Sequence, residues 1–179
     1  MTQIGIQYAA ALYSLAADEN LADRILEELK LLDSGFSENP DYLRLLRAPN
    51  IPKEERCQVI DNSFKGRVHP YLLNFLKILT EKGYAHHFSD CRKAFETQYN
   101  EEHGILPVCA VTAVPLKENQ QERLIQKLQS MTGKTVELTN QIDPKVYGGV
   151  RLHYDGKQVD GTVKNRLDTI GKLLKETVL

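Results

Sequence analysis

The chain has 179 residues, of which 41% are hydrophobic and 26% are charged, and its formal net charge at pH 7 is −1. This composition is typical of a globular protein and excludes a disordered or fibrous chain. The near-zero charge argues against a protein that mainly coats nucleic acid or an anionic membrane, because neutralising many phosphates requires a surplus of Lys and Arg.

Apolar residues at helical spacing predict six helices in the first part of the chain. The predicted helices lie at about 3–17, at about 21–34, from Asn39-Pro40 onward, from Lys53 through Phe64, from His69-Pro70 onward and at about 84–103. The fifth helix is apolar over more than the single stripe that a surface helix needs. It is therefore either central or in contact with a partner.

Beyond Gly104, β-branched residues alternate with small or polar ones, which is typical of strands. Strands are predicted at 105–114, 135–139, 149–154 and 157–159, and helices at about 117–131 and about 162–178. Asp155-Gly156 predicts a tight hairpin, because both turn residues must take positive φ. The hydroxyl of Thr162 can cap the last helix.

These elements predict an α+β fold that is mainly α. An N-terminal six-helix bundle, residues 1–104, is followed by a small βαββα domain, residues 105–179. Charge divides at the same place: residues 1–104 carry 12 Lys and Arg against 16 Asp and Glu, whereas residues 105–179 carry 11 against 8. Two modules with different partners would differ in this way.

The chain shows no signal for a membrane span or a disulfide framework. Its longest apolar run, Ile105–Leu116, has about a dozen residues, and a spanning helix needs about 20. The three cysteines, Cys57, Cys91 and Cys109, form no C-x-x-C pair. We therefore expect a reduced, cytosolic setting.

Two short motifs invite a chemical interpretation. Gly133-Lys134-Thr135 lacks the earlier glycine of a phosphate-binding loop and follows a helix where that loop follows a strand, so we expect a plain turn. His86, His87, Asp90 and Cys91 form two pairs on different faces of one helix, which leaves a metal site without convergent ligands. No arrangement of nucleophile, base and anion pocket is evident. We expect no catalytic residue, no cofactor and no metal ion.

The most distinctive motifs lie in the second module. They are Asp143-Pro144-Lys145-Val146-Tyr147-Gly148-Gly149-Val150 and Asp155-Gly156-Lys157-Gln158-Val159-Asp160-Gly161-Thr162, with support from Tyr8-Ala9-Ala10-Ala11-Leu12 and Asn74-Phe75-Leu76-Lys77-Ile78-Leu79. With these motifs the chain resembles, over essentially its full length, the delta subunits of bacterial F-type ATP synthase, which are related to the mitochondrial oligomycin-sensitivity-conferring subunit. Tyr84 stands where members of that family usually carry Arg.

The resemblance implies a non-catalytic stator subunit that joins the catalytic head to the peripheral stalk. In the family, the helical domain binds N-terminal segments of the α subunits through its first and fifth helices, and the second domain holds the C-terminal end of the b subunit. The implied location is the cytoplasmic face of the bacterial plasma membrane, with membrane association only through the complex and no nucleic acid partner. The hypothesis for the α-binding groove names seven residues: Tyr8, Leu12, Tyr13, Leu72, Phe75, Leu76 and Leu79.

Two other functions remain open from the residues alone. All-helical modules of this size also bind RNA, as antitermination factors do, although the acidic first module argues against that function. An enzyme would need a pocket with convergent polar groups.

Overall fold

The computed structural model describes residues 2–48, 50–162 and 165. The chain forms two compact units, one ending at Tyr99 and the other beginning at Asn100. Within the described residues there are seven α-helices and one four-stranded mixed sheet. This confirms an α+β fold that is mainly helical.

The helical unit contains short helices joined by tight connections. Their bounds are α1 (Gln3–Asp18), α2 (Ala22–Glu38), α3 (Pro40–Arg47), α4 (Lys53–Phe64), α5 (Pro70–Glu81) and α6 (Phe88–Glu102), with a 3₁₀ turn at Ala85–His87. Proline occupies the first turn of α3 and of α5, as the sequence predicts. The helix expected at about 84–103 begins only at Phe88, because a 3₁₀ turn precedes it.

Aromatic side chains form the centre of the helical unit. Phe36 packs edge-on against Phe88, with ring centroids 5.0 Å apart, and Tyr13 packs edge-on against Phe95 at 5.1 Å. Both pairs connect helices that are distant in sequence. Rings in this geometry add about 0.5–1.5 kcal/mol per pair beyond the burial of their area.

The second unit is built on a mixed sheet with strand order β2-β1-β3-β4. Its elements are β1 (Ile105–Thr112), α7 (Glu118–Thr132), β2 (Thr135–Ile142), β3 (Val150–Tyr154) and β4 (Lys157–Asp160). Strands β1 and β2 are parallel, with α7 as their crossover, and the β1–β3 and β3–β4 pairs are antiparallel. One face of β1 presents Leu106, Val108 and Ala110 to a core that includes Leu128 of α7.

The strand count corrects the predicted βαββα order. The described part of this unit is βαβββ, because all four strands predicted from the sequence form, and the βαββα order had left out the one at 157–159. Asp155 and Gly156 both take positive φ, 50° and 68°, which confirms the predicted hairpin. The predicted helix over 162–178 lies outside the described residues except for Thr162 and Asn165, where the Asn165 amide donates to the Thr162 hydroxyl at 3.2 Å as a cap requires.

The division between the units falls within α6, whereas the sequence places it after Gly104. Within the second unit, the Gly104 carbonyl accepts a hydrogen bond from the Thr135 amide at 2.8 Å. No helix within the described ranges is both long enough and apolar enough to span a bilayer.

Candidate partner-binding surface

Six of the seven predicted groove residues lie in the core of the helical unit. These are Leu12, Tyr13, Leu72, Phe75, Leu76 and Leu79, each at most 6% exposed. Tyr8 is half-buried and packs against the same core. The sequence pattern cannot separate the inner stripe of a helix from its flank when both are apolar. These six side chains are core residues and are not accessible to a partner.

Helix α1 presents a second apolar stripe beside its buried one. Its inner face contacts α6, where Tyr13 meets Phe95 and a Cβ on Gly5 would lie 2.8 Å from the Asp90 Cβ. The flank turned away from α6 carries four apolar side chains at spacing i, i+4, i+7 and i+11, which places them on one line of the helix. They are Ile4, Tyr8, Ala11 and Leu15, of which the first two are half-buried and the last two are exposed.

Helix α5 has a comparable flank. On one side, the Lys77 ammonium pairs with Asp61 of α4 at 2.7 Å, so that side faces α4. The flank turned away from α4 carries Tyr71 and Ile78, seven residues apart, and Ile78 is 44% exposed. An exposed isoleucine beside a half-buried tyrosine leaves apolar area unpartnered.

Helices α1 and α5 pack against each other. Tyr8 lies edge-on against Tyr84, which follows the end of α5, with ring centroids 6.0 Å apart. The α1–α5 face consists of Ile4, Tyr8, Ala11, Leu15, Tyr71 and Ile78. Apolar anchors at this spacing fit an amphipathic helix laid along the surface.

The beginning of α1 is fastened to α6 by polar contacts. The Thr2 amide donates to Asp90 Oδ2 at 3.2 Å, and the Thr2 hydroxyl accepts from the Gly5 amide at 3.3 Å. His87 Nδ1 lies 3.3 Å from the same hydroxyl. Hydrogen bonds from Thr2 hold the pKa of Asp90 below its ordinary value. The α1–α5 face is thereby held in place at its amino end.

The candidate metal ligands lie in two elements, with His86 and His87 in the 3₁₀ turn and Asp90 and Cys91 in α6. Cys91 is 1% exposed in the core, and burial raises its pKa to about 12, so it stays a protonated thiol. The pKa of His86 is lowered by partial desolvation of its ring and by the neighbouring His87. Among the residues with described positions, no three His, Cys, Asp or Glu side chains converge on one point.

Gly133 ends α7 with a φ of 68°, and β2 follows two residues later. A left-handed glycine at this position is a helix C-cap. The order of helix, turn and strand confirms the predicted turn and is the reverse of that in a phosphate-binding loop.

The sheet unit exposes an apolar cluster at the carboxyl ends of β1 and β2, which the sequence did not single out. Thr112, the last residue of β1, pairs with Ile142, and its carbonyl accepts from the Asp143 amide at 2.8 Å. Three side chains project near this end: Val114 is 68% exposed, Ile142 51% and Tyr147 77%. These three residues make up the β1–β2 end. The Asp143-Pro144 pair predicts the turn from the sequence, but nothing in the sequence predicts the exposure of Tyr147.

Comparison with known proteins places this architecture in a family. The family model for the ATP synthase delta (OSCP) subunit matches residues 4–174. The chain belongs to this family. It is 33% identical over 173 residues to an "ATP synthase subunit delta" from Alkaliphilus oremlandii, covering 97% of this chain and 96% of the relative. It is also 33% identical over 175 residues to one from Lactobacillus gasseri, with the same coverage.

Solved structures agree on the fold. A chain of the Toxoplasma gondii mitochondrial ATP synthase hexamer aligns with a TM-score of 0.76 at 19% identity, covering 97% of this chain and 98% of that chain. A chain of the Polytomella F-ATP synthase aligns with a TM-score of 0.50 at 21% identity, covering 54% and 86%. Family membership makes the chain a stator component of the peripheral stalk of ATP synthase and decides against the RNA-binding alternative.

Proposed function

We propose that this subunit links two partners in the stator. Its helical unit binds N-terminal segments of the α subunits on the α1–α5 face, and its second unit holds the C-terminal end of the b subunit. The proposed location is the cytoplasmic face of a bacterial plasma membrane, reached only through the complex. One observation carries the first half of this proposal: the unpartnered apolar stripe of α1 beside the exposed flank of α5.

The apolar area of the α1–α5 face is sufficient for a firm contact. Full burial of one Leu or Ile side chain contributes about 1.5–3 kcal/mol. Leu15 and Ile78 are 41% and 44% exposed, so a helix that covers both buries substantial new area. The polar contacts of Thr2 keep the face ordered before binding, which lowers the entropic cost of association.

The proposed role requires mechanical resistance and no chemistry. A rotor that exerts torque on the catalytic head experiences an equal reaction, and an untethered head would turn with the rotor. A subunit that binds the head through one unit and the stalk through the other transmits this reaction. Its residues have to resist dissociation under load, which demands a slow dissociation rate more than a fast association rate.

The second half of the proposal is supported by the β1–β2 end. An exposed tyrosine beside exposed valine and isoleucine is typical of a contact anchor, because tyrosine supplies a large area with little side-chain entropy. Tyr147 also holds a φ of 60°, which is costly for a non-glycine residue. The neighbouring Val146 is 1% exposed, so its side chain anchors the turn in the interior of the sheet unit.

Calorimetric titration of the full chain with a synthetic α-subunit N-terminal peptide tests the α1–α5 face. We expect Leu15→Asp and Ile78→Asp each to weaken binding by about tenfold or more, since about 1.4 kcal/mol corresponds to a factor of ten. Ile6→Asp is the matched control, because Ile6 is 52% exposed on the same helix but lies two residues from Ile4 and therefore on the other side of α1. Unchanged affinity in both face variants would contradict the proposal.

Binding of a peptide from the carboxyl-terminal end of the b subunit tests the other unit. Tyr147→Asp should weaken that complex and leave the α peptide affinity unchanged. Met131→Asp is the control, because Met131 is 69% exposed near the end of α7. Equal losses in both variants would place the contact elsewhere on the sheet unit.

A further inference from the structure

The dipeptide Asp-Gly occurs twice in the chain, at Asp155-Gly156 and at Asp160-Gly161, and Asn-Gly does not occur. Asp-Gly is the chemically least stable aspartyl linkage, because glycine has no Cβ to shield its amide nitrogen from the aspartyl side chain. That nitrogen can attack the side-chain carboxyl carbon and close a five-membered succinimide ring. Both copies belong to the β3–β4 hairpin or follow it directly, and their surroundings differ.

Asp155 and Gly156 form the exposed tip of the hairpin. Every residue from 155 to 159 is exposed, and a Cβ added at Gly156 would meet no atom within 4 Å. Among the described residues, the Asp155 carboxylate has no hydrogen-bond or ion-pair partner, and the Gly156 amide donates to no carbonyl. A cleft of about 400 Å³ borders the turn, so water reaches it. The two reacting atoms of this dipeptide are therefore both free to move.

Asp160 and Gly161 are held at both reacting groups. Asp160 Oδ2 accepts from Arg151 Nε at 2.9 Å, and Oδ1 accepts from the Thr162 amide at 3.0 Å. The Gly161 amide donates to the Val150 carbonyl at 3.0 Å. Hydrogen bonds from Thr162 and Arg151 also hold the pKa of Asp160 below its ordinary value, which disfavours the protonated acid that loses hydroxyl. Ring closure here requires that three hydrogen bonds break first.

We propose that Asp155 is a site of spontaneous isomerisation to isoaspartate and that hydrogen bonds protect Asp160 from the same reaction. In the first step the Gly156 nitrogen bonds to Asp155 Cγ, the carboxyl C–O bond breaks, and the amide proton and the hydroxyl leave as water. In the second step water adds to the main-chain carbonyl carbon of the ring, and the bond from that carbon to the Gly156 nitrogen breaks. The chain then runs through Cγ, the former main-chain carbonyl is a free carboxylate, and the mass is unchanged.

The modification lengthens the turn of the hairpin, because the Cβ of Asp155 becomes a main-chain atom. The hairpin pairs Tyr154 with Lys157 and Leu152 with Val159, and the length of the turn sets this register. Leu152 is 9% exposed in the core of the sheet unit. Isomerisation at an exposed turn therefore disturbs a buried residue. The α1–α5 face and the β1–β2 end contribute no residue to this site, so the inference is independent of the proposed partners.

Prolonged incubation of the purified full chain at neutral pH tests this inference. Trypsin places Asp155 in a peptide of residues 152–157 and Asp160 in one of residues 158–164, so liquid chromatography with electron-transfer fragmentation measures isoaspartate at each site separately. We expect about tenfold more isoaspartate at Asp155 than at Asp160, or greater, and tenfold corresponds to about 1.4 kcal/mol in activation free energy. Labelling by an isoaspartyl O-methyltransferase with S-adenosylmethionine identifies the linkage independently.

Unfolding provides the matched control, because the two dipeptides are chemically alike. In urea the two sites should form isoaspartate at rates within about twofold of each other, since the hydrogen bonds of Asp160 are lost. Asp155→Glu should abolish the signal in residues 152–157, because closure of the larger ring is far slower. The proposal is overturned by absence of isoaspartate at Asp155 in the folded chain, by equal amounts at the two sites there, or by a tenfold difference that persists in urea.

Discussion

The two units differ in whether their buried polar side-chain atoms have hydrogen-bond partners. In the helical unit, the Arg56 Nε and the Thr80 hydroxyl are both buried without a hydrogen-bond partner. In the sheet unit, buried Thr112 donates its hydroxyl to the Val114 carbonyl and accepts from the Asn140 amide, both at 2.8 Å. No described side chain of the sheet unit has an unpartnered buried polar atom.

This difference follows from how each unit is stabilised. Helices satisfy their own backbone groups, and the helical core contains five buried aromatic side chains, namely Tyr13, Phe36, Phe75, Phe88 and Phe95. A large apolar core tolerates a few unpaired polar atoms, each costing about 1–3 kcal/mol. The described core of the sheet unit has no fully buried aromatic residue. Its buried Thr112 hydroxyl is instead hydrogen-bonded on both sides, to Val114 and to Asn140.

The largest expected effect comes from truncation in the aromatic core. Phe95 is fully buried against Tyr13, so Phe95→Ala should lower the free energy of unfolding by about 3–5 kcal/mol. Leu128→Ala in the smaller sheet core should cost about 2–3 kcal/mol. Urea unfolding followed by circular dichroism measures both. A larger loss of unfolding free energy for Leu128→Ala than for Phe95→Ala would contradict the expectation that the helical core contributes more to stability.

A backbone substitution should affect the sheet unit next most strongly. Gly149 has a φ of 78°, and a Cβ there would lie 2.6 Å from the Gly161 carbonyl oxygen. We expect Gly149→Ala to cost about 2–3 kcal/mol, since strained backbone and a contact with a carbonyl combine. Gly156→Ala, with a φ of 68° but open space, should cost about 1 kcal/mol. Equal thermal stabilities of the two variants would show that the approach of residue 149 to the Gly161 carbonyl does not affect stability.

One substitution should have opposite signs in the two units. Thr80→Val removes an unpartnered buried hydroxyl and should raise the free energy of unfolding by about 1 kcal/mol. Thr112→Val removes the donor to the Val114 carbonyl and one of the two acceptors of the Asn140 amide, which still donates to the Ala110 carbonyl at 2.9 Å, and should lower it by about 1–3 kcal/mol. Denaturant unfolding of the two variants in parallel measures both changes. The same sign in both would refute a difference between the units in how buried hydroxyls are satisfied.

The smallest expected effect is on the melting temperature at acidic pH. Hydrogen bonds from Thr2 lower the pKa of Asp90, and hydrogen bonds from Thr162 and Arg151 lower that of Asp160. Because the folded-state pKa lies below the ordinary 3.8, this stabilisation is complete above pH 3.8 and is lost as the pH falls through the lower value. Asp90→Asn and Asp160→Asn should each reduce the drop in melting temperature between pH 5 and pH 2. An unchanged acid profile in either variant would assign the drop to other carboxylates.

The sequence by itself determined the mainly helical α+β class, the helix positions up to α5 and the Asp155-Gly156 hairpin. These features depend on local physics: proline in first turns, apolar spacing along one helix, and positive φ at two adjacent residues. The motifs from Asp143 to Thr162 also identified the family. Such signals lie within a few residues of one another and can be read without knowing what packs against them.

Only the tertiary structure decided which apolar residues are core and which are surface. Leu12 and Leu15 are equally apolar, yet one is 5% and the other 41% exposed. Their burial depends on where α5 and α6 cross α1, and those helices are more than 50 residues away in sequence. For the same reason, the sequence did not predict the exposure of Tyr147. Surfaces formed by distant segments are decided by packing between helices and strands, which no local pattern records.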